Sequence, residues 1–440
     1  MVLVYFYLFL CYYFIEHMFE RCGMSRYILH SDLNNFYASV ECLYNPNIRN
    51  KAVVVVGDHE KRHGIVLAKN YIAKSYGIKT GDTLWEAQQK CGEELVCQKV
   101  NFPLYTRISK LVKDIYKEYT DRVENFGIDE AWLDISNLAH SFDEAKKIAD
   151  EIRVRIISEI GLTVSIGVSF NKIFAKLGSD LKKPNATTVI SEDNFKTIVW
   201  PLPIEELLYV GRATKQKLHK LNINTIGDLA TCNPQMLKMQ LGKMGYTLWR
   251  FASGLDDSEV TLTSNPNEIK SIGNSTTCPK DLTTLEEVET VLYILADNIA
   301  ERMRAKNLHC SEVALYVKDN TLQSFERQKA IYCPTNLSGA IAKTALDIFK
   351  DNYTWEHTVR AIGIRVCGFN QNLVQCNLFV DESLDKKKET LERTIEAIRN
   401  RFGYNSIKRA NVINHPPLID INPKEAEHLI HPVGFFKPKK

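Results

Sequence analysis

Three carboxylates carry the first chemical signal in this 440-residue sequence. Asp32 ends the apolar run Tyr27–Asp32, which reads as a buried strand. Asp129 and Glu130 stand between two short strand-like runs, Arg122–Phe126 and Ala131–Ile135, a spacing that predicts a hairpin. If the first strand and the hairpin are neighbours in one sheet, three acidic groups converge at one sheet edge. Like charges brought together are costly unless a cation neutralises them. Hard divalent cations such as Mg²⁺ bind through one or two carboxylates together with substrate phosphates. Two such ions activate an attacking oxygen and stabilise a leaving one in phosphoryl transfer. A single Asp at a strand end is more simply a turn or a cap; the set of three favours a metal site.

The flanking elements must bring these groups together. Asn35–Tyr44 reads as a helix and Ala52–Val56 as a β-branched buried strand closed by Gly57. Ile65–Leu67 is a second candidate strand, and Tyr71–Tyr76 and Thr83–Lys90 are short helices around Gly77 and Gly81. Leu104–Tyr119 is a long amphipathic helix with Leu104, Ile108, Leu111, Ile115 and Tyr119 on one stripe. After the hairpin comes a second long helix, Ser141–Glu159, with Phe142, Ala145, Ile148, Ile152 and Ile156 facing inward. Leu162–Val168 is a strand and Asn171–Leu181 a helix. Strand, helix, hairpin, helix, strand is the split βαβ order of a ferredoxin-like sheet. The stretch from Ala52 to Lys99 is inserted into it.

From about Glu192 short helices take over, Thr225–Cys232 and Pro234–Leu241 among them, parted by Asn233–Pro234. Asp256–Glu268 is polar and reads as a linker. Leu285–Arg304 and Leu337–Asp351 are helices, and Glu312–Lys318 and Arg360–Val366 alternate as half-exposed strands, which suggests a separate small α/β domain. The tail has one strong helical stripe: Leu391, Ile395, Ile398 and Phe402.

Composition is ordinary for a soluble globular chain, with 45% hydrophobic and 25% charged residues. Lys+Arg 56 against Asp+Glu 53 gives +3, so any nucleic-acid surface must come from local arrangement of charge. The 11 cysteines are odd in number and none is in CxxC spacing, which argues against a disulfide scaffold or zinc ribbon and for reduced thiols in the cytoplasm. Residues 1–15 are almost wholly apolar but shorter than the roughly 20 a spanning helix needs. A short anchor, a buried helix and a non-native upstream extension are the alternatives. The last is preferred for residues 1–23, because Met24 is followed directly by the first core strand. No stable membrane attachment is expected.

Three segments carry a resemblance. Asp32-Leu-Asn-Asn-Phe-Tyr-Ala-Ser-Val-Glu41, Phe126-Gly-Ile-Asp-Glu-Ala-Trp-Leu-Asp-Ile-Ser136 and Gly167-Val-Ser-Phe-Asn-Lys-Ile-Phe-Ala-Lys-Leu177 resemble motifs of the Y-family, translesion DNA polymerases, in the bacterial DinB-like and UmuC-like group. The similarity runs from about Met24 to Phe379. Three motifs in order are far more specific than one. The resemblance implies an α+β right hand: palm at 24–35 and 101–190, small fingers at 36–100, helical thumb at 191–256, a linker at 257–268, an α/β little finger at 269–371 and a tail at 372–440.

It also implies site roles. Asp32 and Asp129 would ligate two Mg²⁺ ions, with Mn²⁺ as a substitute. Glu130 would ligate the catalytic ion, and the Leu33 carbonyl would add a ligand. Tyr37 falls at the steric gate against a ribose 2′-OH, and Phe36 beside the incoming sugar. Tyr71, Lys74 and Lys172 fall where the family holds the triphosphate. Lys74 stands where DinB-like members usually carry Arg; UmuC-like members share the Lys. Gly127 replaces a Ser before the Ile-Asp-Glu, Ala68 replaces a hydroxyl residue, and Asn34 and Asn35 replace a second early acid or aromatic.

Leu208-Tyr-Val-Gly-Arg-Ala-Thr-Lys-Gln-Lys-Leu-His-Lys-Leu221 resembles the thumb's helix-hairpin-helix, with Tyr209 at the usual first Gly. Gly211 and the charges of Arg212, Lys215, Lys217 and Lys220 would meet DNA phosphate. Lys270 and Ser271 begin the little-finger likeness. Residues 269–371 hold 12 Lys/Arg and 12 Asp/Glu, so a DNA grip there requires charge segregated to one face. Gln375-Cys-Asn-Leu-Phe379 resembles the bacterial sliding-clamp peptide, with Gln375 at the rim and Leu378 and Phe379 in the pocket; packing of both on the little finger is the bland alternative.

The expected function is therefore low-fidelity, template-directed DNA synthesis in damage tolerance by a cytoplasmic monomer, without proofreading. Its partners would be primer-template DNA, dNTPs and the clamp. A catalytically inactive clamp- and DNA-bound accessory factor and a nucleotidyl cyclase on a similar palm sheet are the alternatives.

Overall fold

The computed structural model describes residues 26–57, 64–264, 269–370, 382–418 and 421–426. These fall into two compact units, one of residues 26–44 and 105–264, the other of 45–104 and 269–426.

The first unit is built on a five-stranded sheet in the order Val123–Asn125, Glu130–Asp134, Ile28–Leu33, Val164–Ser169, Thr187–Ile190. All neighbours are antiparallel except the last pair, which is parallel. Helices Phe102–Tyr119, Phe142–Ile160 and Lys172–Leu181 accompany it. Ser141 caps the second by accepting the Glu144 N–H, and Asn171 caps the third by accepting the Phe174 N–H. Gly167 is required by close approach. A Cβ there would lie 1.9 Å from the Ala175 carbonyl, so only glycine lets the third helix settle on its strand.

The helix Phe36–Tyr44 belongs to this unit. It buries Phe36, Ala38, Val40 and Cys42, and Glu41 accepts a hydrogen bond from Tyr105 at 2.5 Å. In Phe102–Tyr119 the buried face is Tyr105, Ile108, Val112, Ile115 and Tyr116, not the expected stripe through Leu104 and Leu111; Leu111 is 44% exposed. The face is turned by about one residue because polar Ser109 and Lys113 also point inward, to the hairpin turn.

The segment read as a linker is docked over its first half. Val260 is fully buried in a cluster with Ile28, Trp132 and Ala175. Arg26 donates to the Ser258 carbonyl, Thr261 N–H to Glu124, and Thr263 to the Asp121 carbonyl. Beyond the sheet, Arg212–Lys220, Ile226–Thr231, Pro234–Leu241 and Lys243–Ala252 close a helical core on Leu218, Ile226, Leu229, Leu237, Leu248 and Phe251.

The second unit holds a three-stranded sheet, Val66–Lys69, Val53–Val56, Val96–Lys99, and a four-stranded antiparallel sheet, Ser324–Thr335, His309–Asp319, Val359–Asn370, Ser271–Leu282. Helices Leu285–Arg304 and Ser338–Asn352 pack on the larger sheet through Val291, Leu295, Ile341 and Ala345. The tail helix Glu382–Phe402 docks in the same unit by charge rather than by its apolar stripe. Arg304 takes Glu392 and Glu396, and Arg399 and Arg409 meet Asp297. Leu391 and Phe402 stay exposed. No described helix is long and apolar enough to cross a membrane.

Candidate active site

The antiparallel register sets Asp32 directly opposite Glu130 on neighbouring strands. Asp129 precedes Glu130 in the hairpin turn, and its carbonyl accepts the Leu33 N–H at 3.1 Å. Gly127, at φ +107°, makes that turn, a conformation a side chain would strain. Two groups from the helix Phe102–Tyr119 hold it: Lys113 Nζ donates to the Gly127 carbonyl at 2.9 Å, and Ser109 Oγ to the Ile128 carbonyl. Burial draws the Lys113 ammonium down to about 8, against the pull of Asp129.

Lysines partner two of the three carboxylates. Lys183 Nζ lies 2.7 Å from Asp32 and 2.9 Å from Asp180. Lys176 Nζ lies 2.6 Å from Glu130. His30, fully buried, sits 3.2 Å from Glu130 and 2.8 Å from Ser179; burial holds it neutral, down at about 4. Burial raises the carboxyl of Asp32, and repulsion from Glu130 raises it further. Asp129 is raised for the same two reasons. Glu130 is also desolvated, but His30 and Lys176 hold it below the usual carboxylate range. Asp32 and Asp129 are thus each held against desolvation and against the charge of Glu130, a condition a divalent cation relieves. Among the described residues no three His, Cys, Asp or Glu side chains converge closely on one point. The donor set nonetheless fits hard cations: one buried carboxylate, Asp32, and two half-buried ones, Asp129 and Glu130, on neighbouring chain segments.

Phe36 and Tyr37 open the helix that follows. The Tyr37 ring stacks on Tyr105, with centroids 4.4 Å apart and planes 13° apart, and the Phe36 ring lies 5.5 Å from Tyr37. Burial, then Asp129, pushes the Tyr37 phenol up to about 12. Tyr71 and Lys74 lie in the second unit, on the helix Tyr71–Ser75 capped by Asn70. Lys74 Nζ stands 5.8 Å from the Tyr71 ring centroid, and burial followed by Lys74 lowers the neighbouring Lys69.

Lys172 is paired inside the protein, away from the three carboxylates. Its ammonium is buried, 2.7 Å from Glu124 and 4.5 Å from the Trp132 ring centroid, and 3.5 Å from the Glu259 carbonyl. It anchors the docked segment to the sheet and is not held by the carboxylate trio. The cations that are so held, Lys176 and Lys183, escaped notice because a lysine looks like solvated surface. One signal was available: Lys176 follows Lys172 by one helical turn and precedes Asp180 by another.

The thumb helix Arg212–Lys220 begins at Gly211 with no side-chain cap. Arg212, Lys217 and Lys220 are exposed, while Lys215 pairs with Glu205. Tyr209 adopts φ +72°, the conformation the usual glycine would take, and its ring faces Phe251. Lys270 and Ser271 are exposed at the start of Ser271–Leu282. The helix-free face of that sheet mixes charges instead of segregating them. Its cross-strand rows place Cys367 beside Glu312 and set Arg365 against Ala314 and Gly273, and Arg365 pairs with Glu326. Small residues, Gly273, Ser275, Gly363 and Ala314, make much of this face flat. Gln375, Leu378 and Phe379 lie outside the described residues.

Residues 31–180 match the impB/mucB/samB family, 269–378 its C-terminal domain, and 206–256 the thumb domain described for DNA polymerase-iota. A DNA polymerase IV of Acetivibrio thermocellus is 51% identical over 388 residues, 88% of this chain and 97% of the relative. One from Clostridium acetobutylicum is 34% identical over 394 residues, 88% and 98%. A solved Y-family DNA polymerase chimera of Dbh and Dpo4 shares the fold, with a TM-score of 0.71 at 23% identity over 79% of this chain and 100% of that one.

Proposed function

The chain belongs to the impB/mucB/samB family of Y-family polymerases, DNA-directed DNA polymerases of the translesion kind, and on that premise we propose how its residues divide the reaction. Asp32, Asp129 and Glu130 would hold two Mg²⁺ ions, the Leu33 carbonyl adding a ligand. The observation that carries this is Asp32 set directly opposite Glu130 on neighbouring strands, with Asp129 next to Glu130 in the turn and its carbonyl bonded to the Leu33 N–H. Bound there, divalent cations supply activation of the attacking oxygen and stabilisation of the leaving one.

The remaining roles fall to the protein. The primer 3′-oxygen attacks the α-phosphorus of a dNTP and pyrophosphate leaves. Charge gathers on that leaving group and must be met by fixed cations. Lys183, half-buried on Asp32, takes the phosphate-binding role first assigned to Lys172: once Asp32 has a metal partner, its ammonium is free to turn to phosphate. Lys176 does the same beside Glu130. By the family resemblance, Lys74 and Tyr71 are further triphosphate-binding candidates. Tyr37 and Phe36 bound the sugar. Gly211, Arg212, Lys215, Lys217 and Lys220 hold DNA phosphates, and Lys270 and Ser271 meet the duplex.

The test is primer extension on a primed template by the full chain with Mg²⁺ and four dNTPs. Extension that follows the template is expected. None at all would favour an inactive accessory factor.

Gln375, Leu378 and Phe379 are proposed to bind the sliding clamp. Deleting Gln375–Phe379 should leave basal extension unchanged and abolish stimulation by added clamp. Stimulation that survives the deletion would assign Leu378 and Phe379 to packing.

A further inference from the structure

Asn34 departs from the family pattern, and its surroundings explain what an amide does there. It is 2% exposed and lies two residues after Asp32. Its Oδ1 accepts the backbone N–H of Asn185 at 2.9 Å, and its Nδ2 donates to Ser165 Oγ at 3.0 Å. Because a backbone N–H can only donate, the oxygen must face Asn185.

Asn185 is gripped from its other side as well. Arg153 Nη2 donates to Asn185 Oδ1 at 2.9 Å and to the Asn185 carbonyl. Arg153 is itself fixed by Asp150 at 2.7 Å, and Asp150 accepts from Thr187 at 2.6 Å. Asn185 adopts φ +51°, the left-handed conformation that asparagine takes more readily than other residues with a side chain. Two residues earlier stands Lys183, with its ammonium on Asp32. The turn 183–185 is thus pinned at its far end between Asn34, next to the carboxylate strand, and Arg153, on the helix Phe142–Ile160. A lysine side chain has many rotamers, so a fixed backbone origin restricts where its ammonium can reach.

We propose that Asn34 is a positioning residue for the incoming nucleotide. With Arg153 it fixes the turn 183–185, so that Lys183 meets the triphosphate from one defined origin. The inference rests on the phosphate-binding reading of Lys183.

The test is single-nucleotide incorporation by the full chain at saturating Mg²⁺, with dNTP varied and kcat and KM read separately. Asn34→Ala should raise KM for dNTP about tenfold and leave kcat within about threefold. Asn34→Asp keeps the acceptor for the Asn185 N–H and can accept from Ser165, so it should restore KM to within about threefold of the parent. Arg153→Ala should raise KM in the same direction, and Lys183→Ala at least as much. Thermal melts confirm that each variant is folded. If Lys183→Ala raises KM and Asn34→Ala does not, the inference falls and the Lys183 reading stands. If Lys183→Ala leaves KM unchanged, both fall. A drop in kcat alone that Asn34→Asp does not rescue would make Asn34 purely structural and overturn the proposal.

Discussion

The full chain carrying Asp129→Ala and Glu130→Ala together is expected to lose at least about 10³-fold in primer extension while remaining folded. Removing both groups strips the hairpin of its anionic donors and leaves Asp32 paired with Lys183. The effect sought is the loss of several kcal/mol of charge stabilisation at the attacking and leaving oxygens, and about 4 kcal/mol is already a factor of 10³. Stability should move little, because the two losses oppose each other. The Asp129 carboxyl is raised in the folded protein, by burial and then by Glu130, so its ionised form costs stability above its unfolded pKa and deletion relieves that cost. The Glu130 carboxyl is lowered by His30 and Lys176, so it contributes stability above its unfolded pKa, and deletion removes it. Lys176 keeps a neighbour in Asp180 at 3.5 Å. Primer extension and thermal melting on the same preparation decide the matter. Extension above about a tenth of the parent's would take these carboxylates out of the chemistry.

What could be read from the sequence follows from how each residue reports its surroundings. A carboxylate closing an apolar strand or standing in a hairpin turn is conspicuous, which is why Asp32, Asp129 and Glu130 are the candidates the sequence offers, and the split βαβ order anticipates that Asp32 neighbours the hairpin. Strands with one open face are less visible. Ser271–Leu282 and Ser324–Thr335 are each 12 residues long and polar, the first because roughly alternate residues meet the helices, the second because it is an edge strand exposed throughout Glu326–Ala330. The helix Lys243–Ala252 hides behind Gly242 and Gly245. Gly245 looks like a breaker, yet it is there because a Cβ would lie 2.1 Å from the Leu237 carbonyl of the preceding helix.

Charged groups that act through distant partners were the least legible. Lys172 sits inside a recognisable motif, and Lys183 lies just beyond the end of the same helix. Only tertiary structure shows that Glu124 claims the first and Asp32 the second. Likewise nothing local marks Val260 as buried within a polar stretch, or Glu392 and Glu396 as the docking edge of a tail helix whose obvious stripe is apolar. Hydrophobic periodicity reports a helix's preference for some apolar surface; it does not say which neighbour the fold supplies.

Replacing Tyr37 with alanine is expected to cut discrimination against ribonucleotides by about 10²–10³-fold, equivalent to roughly 3–4 kcal/mol. The argument rests on rigidity. Tyr37 is stacked nearly parallel on Tyr105, and Tyr105 is tied to Glu41 on the same helix as Tyr37. At the proposed steric gate a ring held on one face would not swing aside to admit a 2′-hydroxyl, so a ribose would meet a clash that a deoxyribose would not. The phenol adds nothing to that clash. It is pushed up to about 12 and stays neutral at any working pH, so no charge faces the nucleotide from this wall. Tyr37→Phe should therefore keep discrimination within about threefold of the parent, while Tyr37→Ala loses it. The two variants share the loss of the hydroxyl and differ only in the ring. The measurement is the ratio of kcat/KM for a dNTP to that for its rNTP, on the same template base. If alanine leaves that ratio unchanged, another residue closes the sugar pocket; if phenylalanine lowers it as far as alanine, the hydroxyl rather than the ring reads the sugar.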